Sequence, residues 1–214
     1  MNFFFIILTF LISAFIARIL IPRILLISLR KKLFDIPDNR KIHKRAIPRL
    51  GGVSFFPTTL FSFCLVYAFR LLGGDSVSTV YASYLLPELL LFACGMTLLY
   101  LTGIADDLVG VRYRQKFVIQ IFCACLFPLS GIWINDLYGL FGIHELSAYI
   151  GMPFTVLIIV FITNAINLID GIDGLASGLS SVALLIFTFL FIEKGLWSYA
   201  MLAEGTFGVL VPFF

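Results

Sequence analysis

Charge is what this chain has least of. Asp, Glu, Lys and Arg make up 13% of its 214 residues and hydrophobic types 61%, against roughly 25% and 45–50% in soluble domains. With a mean hydropathy of +1.07, that balance excludes a soluble globular domain. Cysteine is sparse too. Cys64, Cys94, Cys123 and Cys125 all fall inside apolar stretches, without zinc-ligand spacing or an extracellular disulfide framework, so they are expected to be core fillers. The chain also lacks internal repeats, low-complexity tracts and any nucleic-acid-reading module. Its first apolar run begins MNFFF, with no basic n-region and no clear small-residue cleavage site, which argues for a retained anchor over a signal peptide.

What is present is a series of long apolar runs. A hydrocarbon core of roughly 30 Å needs about 20 apolar residues per helix. Runs and breakers predict spans near 3–27, 51–72, 85–105, 117–134, 147–166, 178–192 and 198–214. The expected fold class is therefore all-α: a polytopic transmembrane helical bundle of about seven spans, forming one integral membrane domain over 1–214.

The few charges are unevenly placed. Two connections, 28–50 and the one after the third span, carry eleven of the fifteen Lys and Arg residues. The positive-inside rule puts these loops in the cytoplasm and the N-terminus outside. A third inward loop, about 167–178, reads NLIDGIDGLASG and has no base. Lipid-headgroup binding accounts for part of the basic surface. Nucleic acid is not an expected partner; the bilayer is.

Three inward stretches, about 28–50, 106–116 and 167–178, carry chemistry. Asp106 and Asp107 in GIADDLVGVRYRQK are adjacent carboxylates at the end of an apolar helix. They repel each other unless a cation or a shared proton intervenes. Mg²⁺ takes one or two carboxylates together with phosphate oxygens and water, which suits such a pair. The plainer alternative is a polar helix terminus neutralised by Arg112 or Arg114. In the second stretch Asn164, Asn167, Asp170 and Asp173 are spaced three apart, so their oxygens drift slowly around one side of a helix or turn. Gly171, Gly174 and Gly178 permit positive φ and close ligand approach, and N–H groups near Gly174 could open a helix that favours anions. The alternative is a polar packing seam between helices. The third stretch, DNRKIHKRAIPRLGG, places Arg40, Lys41, His43, Lys44 and Arg45 ahead of Pro48, with Arg49 between it and the Gly51-Gly52 pair, a stiffened basic loop suited to phosphate. His43 alone reads as an ordinary surface histidine.

In this order, DNRKIHKRAIPRLGG, GIADDLVGVRYRQK and NAINLIDGIDGLASG resemble the polyprenyl-phosphate N-acetylhexosamine-1-phosphate transferase family, glycosyltransferase family 4. That family includes undecaprenyl-phosphate GlcNAc-1-phosphate transferases and the phospho-MurNAc-pentapeptide translocase. The resemblance implies transfer of a sugar-1-phosphate, GlcNAc-1-phosphate or a similar N-acetylhexosamine, from a UDP-sugar to undecaprenyl phosphate. UMP is released, Mg²⁺ is required, and the step opens cell-envelope polysaccharide or peptidoglycan synthesis in a bacterial inner membrane. By motif, the resemblance makes Asp106, Asp107 and Asp170 the catalytic acidic groups. Asn167 and Asp107 would hold the metal, and Lys44, Asp173, Gly174 and Leu175 the nucleotide-sugar. A homodimer is a further expectation. Family members continue for several more helices, bringing another Mg²⁺-binding Asp and a sugar-selecting loop, so the chain matches about the first two thirds of such an enzyme. Two alternatives stand beside this reading: an inactive or fragmentary scaffold of the same family, and an ion-coupled transporter with its carboxylates at mid-bilayer. A CDP-alcohol phosphotransferase fails on its motif, because Asp173-Gly174 is followed by Leu-Ala-Ser with no Arg.

Overall fold

A computed structural model describes residues 2–31, 34–35, 47–48, 51–73, 76–169 and 174–213. It contains seven α-helices among these residues: α1 (Asn2–Arg30), α2 (Phe55–Leu72), α3 (Ser76–Val109), α4 (Tyr113–Leu129), α5 (Ala148–Ile169), α6 (Leu175–Glu193) and α7 (Trp197–Leu210). Each corresponds to one predicted run, so the protein is an all-α multi-pass membrane protein. Five segments are long and apolar enough to cross a bilayer: 2–30, 51–72, 85–109, 148–169 and 175–193. The other two helices are shorter, α4 with 17 residues and α7 with 14. At 1.5 Å per residue, α7 extends only about 21 Å.

The boundaries shift where sequence periodicity gives little warning. Helix α3 starts nine residues before the predicted span and continues through Asp106 and Asp107 to Val109, so the loop expected over 106–116 shrinks to 110–112. Gly110, with φ +73°, turns the chain there. The fourth run ends at Leu129, five residues early, because Gly131 takes φ +94° and the chain leaves the helix.

The helices fall into two compact units, 1–79 with 169–214 and 80–168. In the first, α7 packs on α1, α2 and α6. Helix α1 meets it with a stripe at three- and four-residue spacing, Ile6, Thr9, Ser13, Ala17 and Ile21, all buried. Small residues set the approach between them. A Cβ added at Gly205 would stand 2.8 Å from Thr9 Cγ2, and one at Gly208 would collide with Ser13 Oγ and lie 2.7 Å from the Phe10 carbonyl. Within a bilayer, where lipid is as apolar as leucine, close packing of this kind replaces the hydrophobic drive. The hydroxyls on α1 are satisfied within the helix, Thr9 donating to the Phe5 carbonyl at 2.7 Å and Ser13 to Phe10 at 2.9 Å. Phe10 stacks on Phe207, and Phe3 meets Trp197 edge-on.

The basic stretch is closed at its base in this unit: Phe34–Asp35 pairs antiparallel with Ile47–Pro48, in the register Phe34 to Pro48 and Asp35 to Ile47. Gly51 then opens a 3₁₀ turn over Gly51–Ser54, where an added Cβ would lie 3.2 Å from the Phe213 ring, while Gly52 has open space around it. The close backbone packing expected of the Gly51-Gly52 pair therefore belongs to Gly51.

The second unit holds α4, α5 and most of α3. Cys123 is buried on α4 beside Gly95 of α3 and fills the core as expected, but Cys64 and Cys94 are exposed on helix surfaces and do not.

The Gly208 contact yields a direct test. Gly208→Val forces α1 and α7 apart against a backbone carbonyl and is expected to cost about 1–3 kcal/mol. Gly52→Ala is expected to be near neutral. Unfolding of both variants in the same detergent micelle, followed by circular dichroism, checks the difference.

Candidate functional site

The last turn of α3 carries the carboxylate pair. Successive residues on a helix diverge by about 100°, so Asp106 and Asp107 do not present their oxygens side by side. Both are half-buried. Asp106 accepts a hydrogen bond from the Val111 backbone N–H at 2.9 Å through Oδ1 and one from Lys116 Nζ at 2.6 Å through Oδ2. The first bond closes the α3–α4 turn, whose Gly110 also donates its N–H to the Asp106 carbonyl at 2.9 Å. The second ties the turn to the first turn of α4.

The cation seen on Asp106 is Lys116, which the alternative of Arg112 or Arg114 had not named. Arg114 instead lies over the Tyr113 ring, 5.7 Å from its centre, with Nε donating to the Tyr113 hydroxyl at 3.0 Å. Lys116 was legible in principle. It stands three residues into α4, on the turn that returns toward the end of α3, and only the helix boundary was wanting. With both partners about 30% exposed, such an ion pair contributes roughly 0.2–1 kcal/mol. Its consequence is orientation more than stability.

That orientation bears on cation binding. A metal at Asp106 would face the Lys116 ammonium 2.6 Å from one carboxylate oxygen. Among the described residues there is no group of three His, Cys, Asp or Glu side chains able to hold a metal. Mg²⁺ does not need one, since phosphate oxygens and water complete its shell. A hard carboxylate at Asp107 and an amide oxygen at Asn167 are the right donor types for it.

Residues of the second stretch separate into different roles. Asn164, on α5, donates through Nδ2 to Gln120 Oε1 on α4 at 2.8 Å and to the Val160 carbonyl at 2.8 Å. It is a polar tie between two helices, the packing-seam alternative realised at one position. Asn167 lies one turn further along α5 and is exposed. Asp170 and Asp173 lie outside the described residues, as does Lys44. Gly174 caps α6 with φ +74°, a left-handed conformation that favours glycine. The backbone N–H groups of the first turn, from Leu175 onward, are those a helix start leaves without intrahelical partners. Gly174 and Leu175 are both exposed, and the Gly174 carbonyl accepts from the Gly178 N–H at 2.9 Å. Gly178 itself is helical, so only Gly174 among the described glycines of this stretch uses positive φ.

Alongside the Asp106 turn runs a groove of about 600 Å³ between α3 and α4. Leu101, Ala105, Val118 and Ile119 give it an apolar wall, and Arg114 and Gln115 supply polar atoms.

Comparison with known proteins gives these features a context. The family model described as "Glycosyl transferase family 4" matches residues 89–214. A protein of Bacillus subtilis (strain 168) named "Probable undecaprenyl-phosphate N-acetylglucosaminyl 1-phosphate transferase" is 31% identical over 180 residues, covering 84% of this chain and 46% of the relative. The "Phospho-N-acetylmuramoyl-pentapeptide-transferase" of Staphylococcus carnosus (strain TM300) is 28% identical, covering 97% of this chain and 64% of the relative. The "Undecaprenyl-phosphate alpha-N-acetylglucosaminyl 1-phosphate transferase" of Escherichia coli (strain K12) is 28% identical, covering 80% and 44%. The chain spans about half to two thirds of the length of these relatives.

The two glycines of the α6 start predict opposite signs. Gly174→Ala places a Cβ at positive φ and is expected to destabilise by about 1–2 kcal/mol. Gly178→Ala, helical and with open space around it, is expected to gain roughly 0.5–1 kcal/mol. Paired unfolding curves in detergent read both.

Proposed function

Because this chain belongs to glycosyl transferase family 4, we propose that it serves the transfer of a sugar-1-phosphate from a UDP-sugar to undecaprenyl phosphate, with release of UMP. In this reading it works in a bacterial inner membrane at the start of cell-envelope polysaccharide or peptidoglycan synthesis. The observation that carries the proposal is the carboxylate pair in the last turn of α3, with Asp106 fixed by Lys116 and the Val111 N–H. The printed names of the relatives support the substrate classes: two name undecaprenyl phosphate and an N-acetylglucosaminyl 1-phosphate group.

The chemistry follows from charge. Donor and acceptor are both anionic, and two unit charges 4 Å apart repel by about 1 kcal/mol in water and several times that at lower effective dielectric. A lipid-phosphate oxygen attacks the β-phosphorus of the UDP-sugar in line, the bond to the UMP oxygen breaks, and UMP leaves. Positioning and electrostatics carry most of such a phosphoryl transfer. Asp107 and Asn167 would hold Mg²⁺, which when bound neutralises charge on the pyrophosphate. Asp106, anchored by Lys116, orients the turn that presents Asp107 and faces the acceptor phosphate, with Asp170 as the neighbouring acidic group. Lys44 holds nucleotide phosphate. Asp173, with the backbone at Gly174 and Leu175, holds the uracil end. The apolar groove between α3 and α4 suits an isoprenoid chain, with Arg114 among its polar atoms.

The place of the carboxylates weighs against an ion-coupled transporter. Asp106 and Asp107 come in the final turn of a 34-residue helix, not at the helix middle where midplane coordination would need them. The proposed orientation sets this end of α3 at the cytoplasmic face.

Two substitutions test the reading in the full-length enzyme. Asp107→Asn is expected to lower UMP release by orders of magnitude while leaving circular dichroism and elution volume unchanged; near-normal release from purified protein removes Asp107 from the site. Lys44→Ala is expected to weaken UDP-sugar binding without loss of fold, and an unchanged dissociation constant by calorimetry contradicts its role.

A further inference from the structure

The connection from α4 to α5, residues 130–147, is ordered by its own hydrogen bonds. Leu146 donates its N–H to the Asn135 carbonyl at 2.8 Å, Leu137 to His144 at 2.9 Å and Gly139 to Ile143 at 3.0 Å. Asp136 and Glu145 form an antiparallel bridge between the two arms. The base is pinned to α5, where Thr155 Oγ1 accepts from the Ile134 N–H at 2.9 Å and donates to the Gly151 carbonyl at 2.7 Å. Gly151 leaves room for the Trp133 ring, which a Cβ there would strike. This is a rigid hairpin.

Its tip is apolar and bare. Tyr138 is 88% exposed and Phe141 89%, and Leu140 and Ile143 are exposed beside them in the chain. Tyr138 and Phe141 are also the only non-glycine residues at positive φ among those described, at 52° and 56°. An L-residue with a bulky side chain is disfavoured there, because its Cβ crowds the following carbonyl. Glycine would serve the turn without strain, as Gly139 and Gly142 already do. Aromatic rings held outward at strained positions point to a role for the rings themselves.

Three observations identify the occupant. The tip is joined through a short pinned base to α5, a helix long and apolar enough to cross the bilayer. At about 3.3 Å per extended residue, the five residues from Asp136 to Leu140 reach no more than about 17 Å. Exposed apolar residues continue past the hairpin on α5, with Tyr149 93% exposed in its first turn and Leu157 further along. Residues 130–147 contain no Lys or Arg, so an acidic partner finds no charge to pair with. Tyr and Trp concentrate at the headgroup level of membranes, where an apolar ring and a polar tip are both accommodated.

We propose that the 135–146 hairpin is a membrane-interface anchor: Tyr138, Leu140, Phe141 and Ile143, with Tyr149 at the head of α5, lie in the headgroup–acyl boundary of the leaflet on their own side of the bilayer. The hairpin then fixes the depth of α5 in the membrane. It does so independently of the catalytic reading.

The test places a fluorophore at the tip. Phe141→Trp in the 214-residue chain, reconstituted in phosphatidylcholine nanodiscs open to solvent on both faces, adds one emitter to the native Trp133 and Trp197. The emission added over the parent is expected to be quenched roughly twofold more by 5-doxyl than by 12-doxyl lipid, as fits a depth of about 5–10 Å. Iodide is expected to quench it far less than it quenches a free tryptophan amide. Leu157→Trp, deeper on α5, is expected to show the reverse doxyl preference. Iodide quenching of the Phe141→Trp emission at the free level overturns the proposal. So does protection from both iodide and doxyl lipid, which means protein, such as a second copy, covers the tip. If Phe141→Trp loses the parent circular dichroism, Tyr149→Trp carries the same outcomes.

Discussion

A carboxylate at the end of a hydrocarbon-spanning helix must find a positive partner or stay in water, and the Asp106–Lys116 contact is how this chain meets that demand. With the Val111 N–H on its other oxygen, Asp106 fixes the three-residue connection between α3 and α4. That connection decides where Asp107 stands, since the two side chains leave the same helical turn in different directions. One carboxylate organises the turn and, in the proposed reading, the other serves the metal. The separation of duties follows from helix geometry once Lys116 occupies the first.

Other polar side chains meet the same demand by other means. On α1, Thr9 and Ser13 return their hydroxyl protons to carbonyls of their own helix, which lets them sit in a buried seam against Gly205 and Gly208 of α7. Asn164 reaches across to Gln120 and so ties α5 to α4. In a medium that offers no water, a side chain either closes on its own backbone, bonds a neighbouring helix, or gathers with others at a helix end. Asp106 takes the third course, with Lys116 and the Val111 N–H.

Much of this was legible in the sequence. Seven apolar runs became seven helices because a segment without water to bond its backbone must bond it internally, and helix formation satisfies that wherever the run is long enough. The capping role of Gly174 was readable from glycine spacing. The missing parts depended on where helices stop. Sequence alone ended the third span at 105 with Asp106 and Asp107 at the helix end, and offered Arg112 or Arg114 as the alternative to a bound cation. Once α3 runs to Val109, the geometry of the next turn selects Lys116. The hairpin at 135–146 was hidden for a related reason. Its aromatic tip blends into the apolar runs on either side, and positive φ at Tyr138 and Phe141 leaves no mark on composition. Lys44, Asp170 and Asp173, outside the described residues, rest on the motif resemblance.

Everything proposed for the site requires that the end of α3 and the start of α6 open on the same side of the bilayer, so that Asp107 and Asp173 can meet one nucleotide-sugar. Single cysteines at 107 and 173, in a chain whose four native cysteines are replaced, can be labelled with a membrane-impermeant maleimide in sealed inside-out and right-side-out vesicles. The account predicts that both positions label from the cytoplasmic face alone. Labelling of the two positions from opposite faces would contradict it.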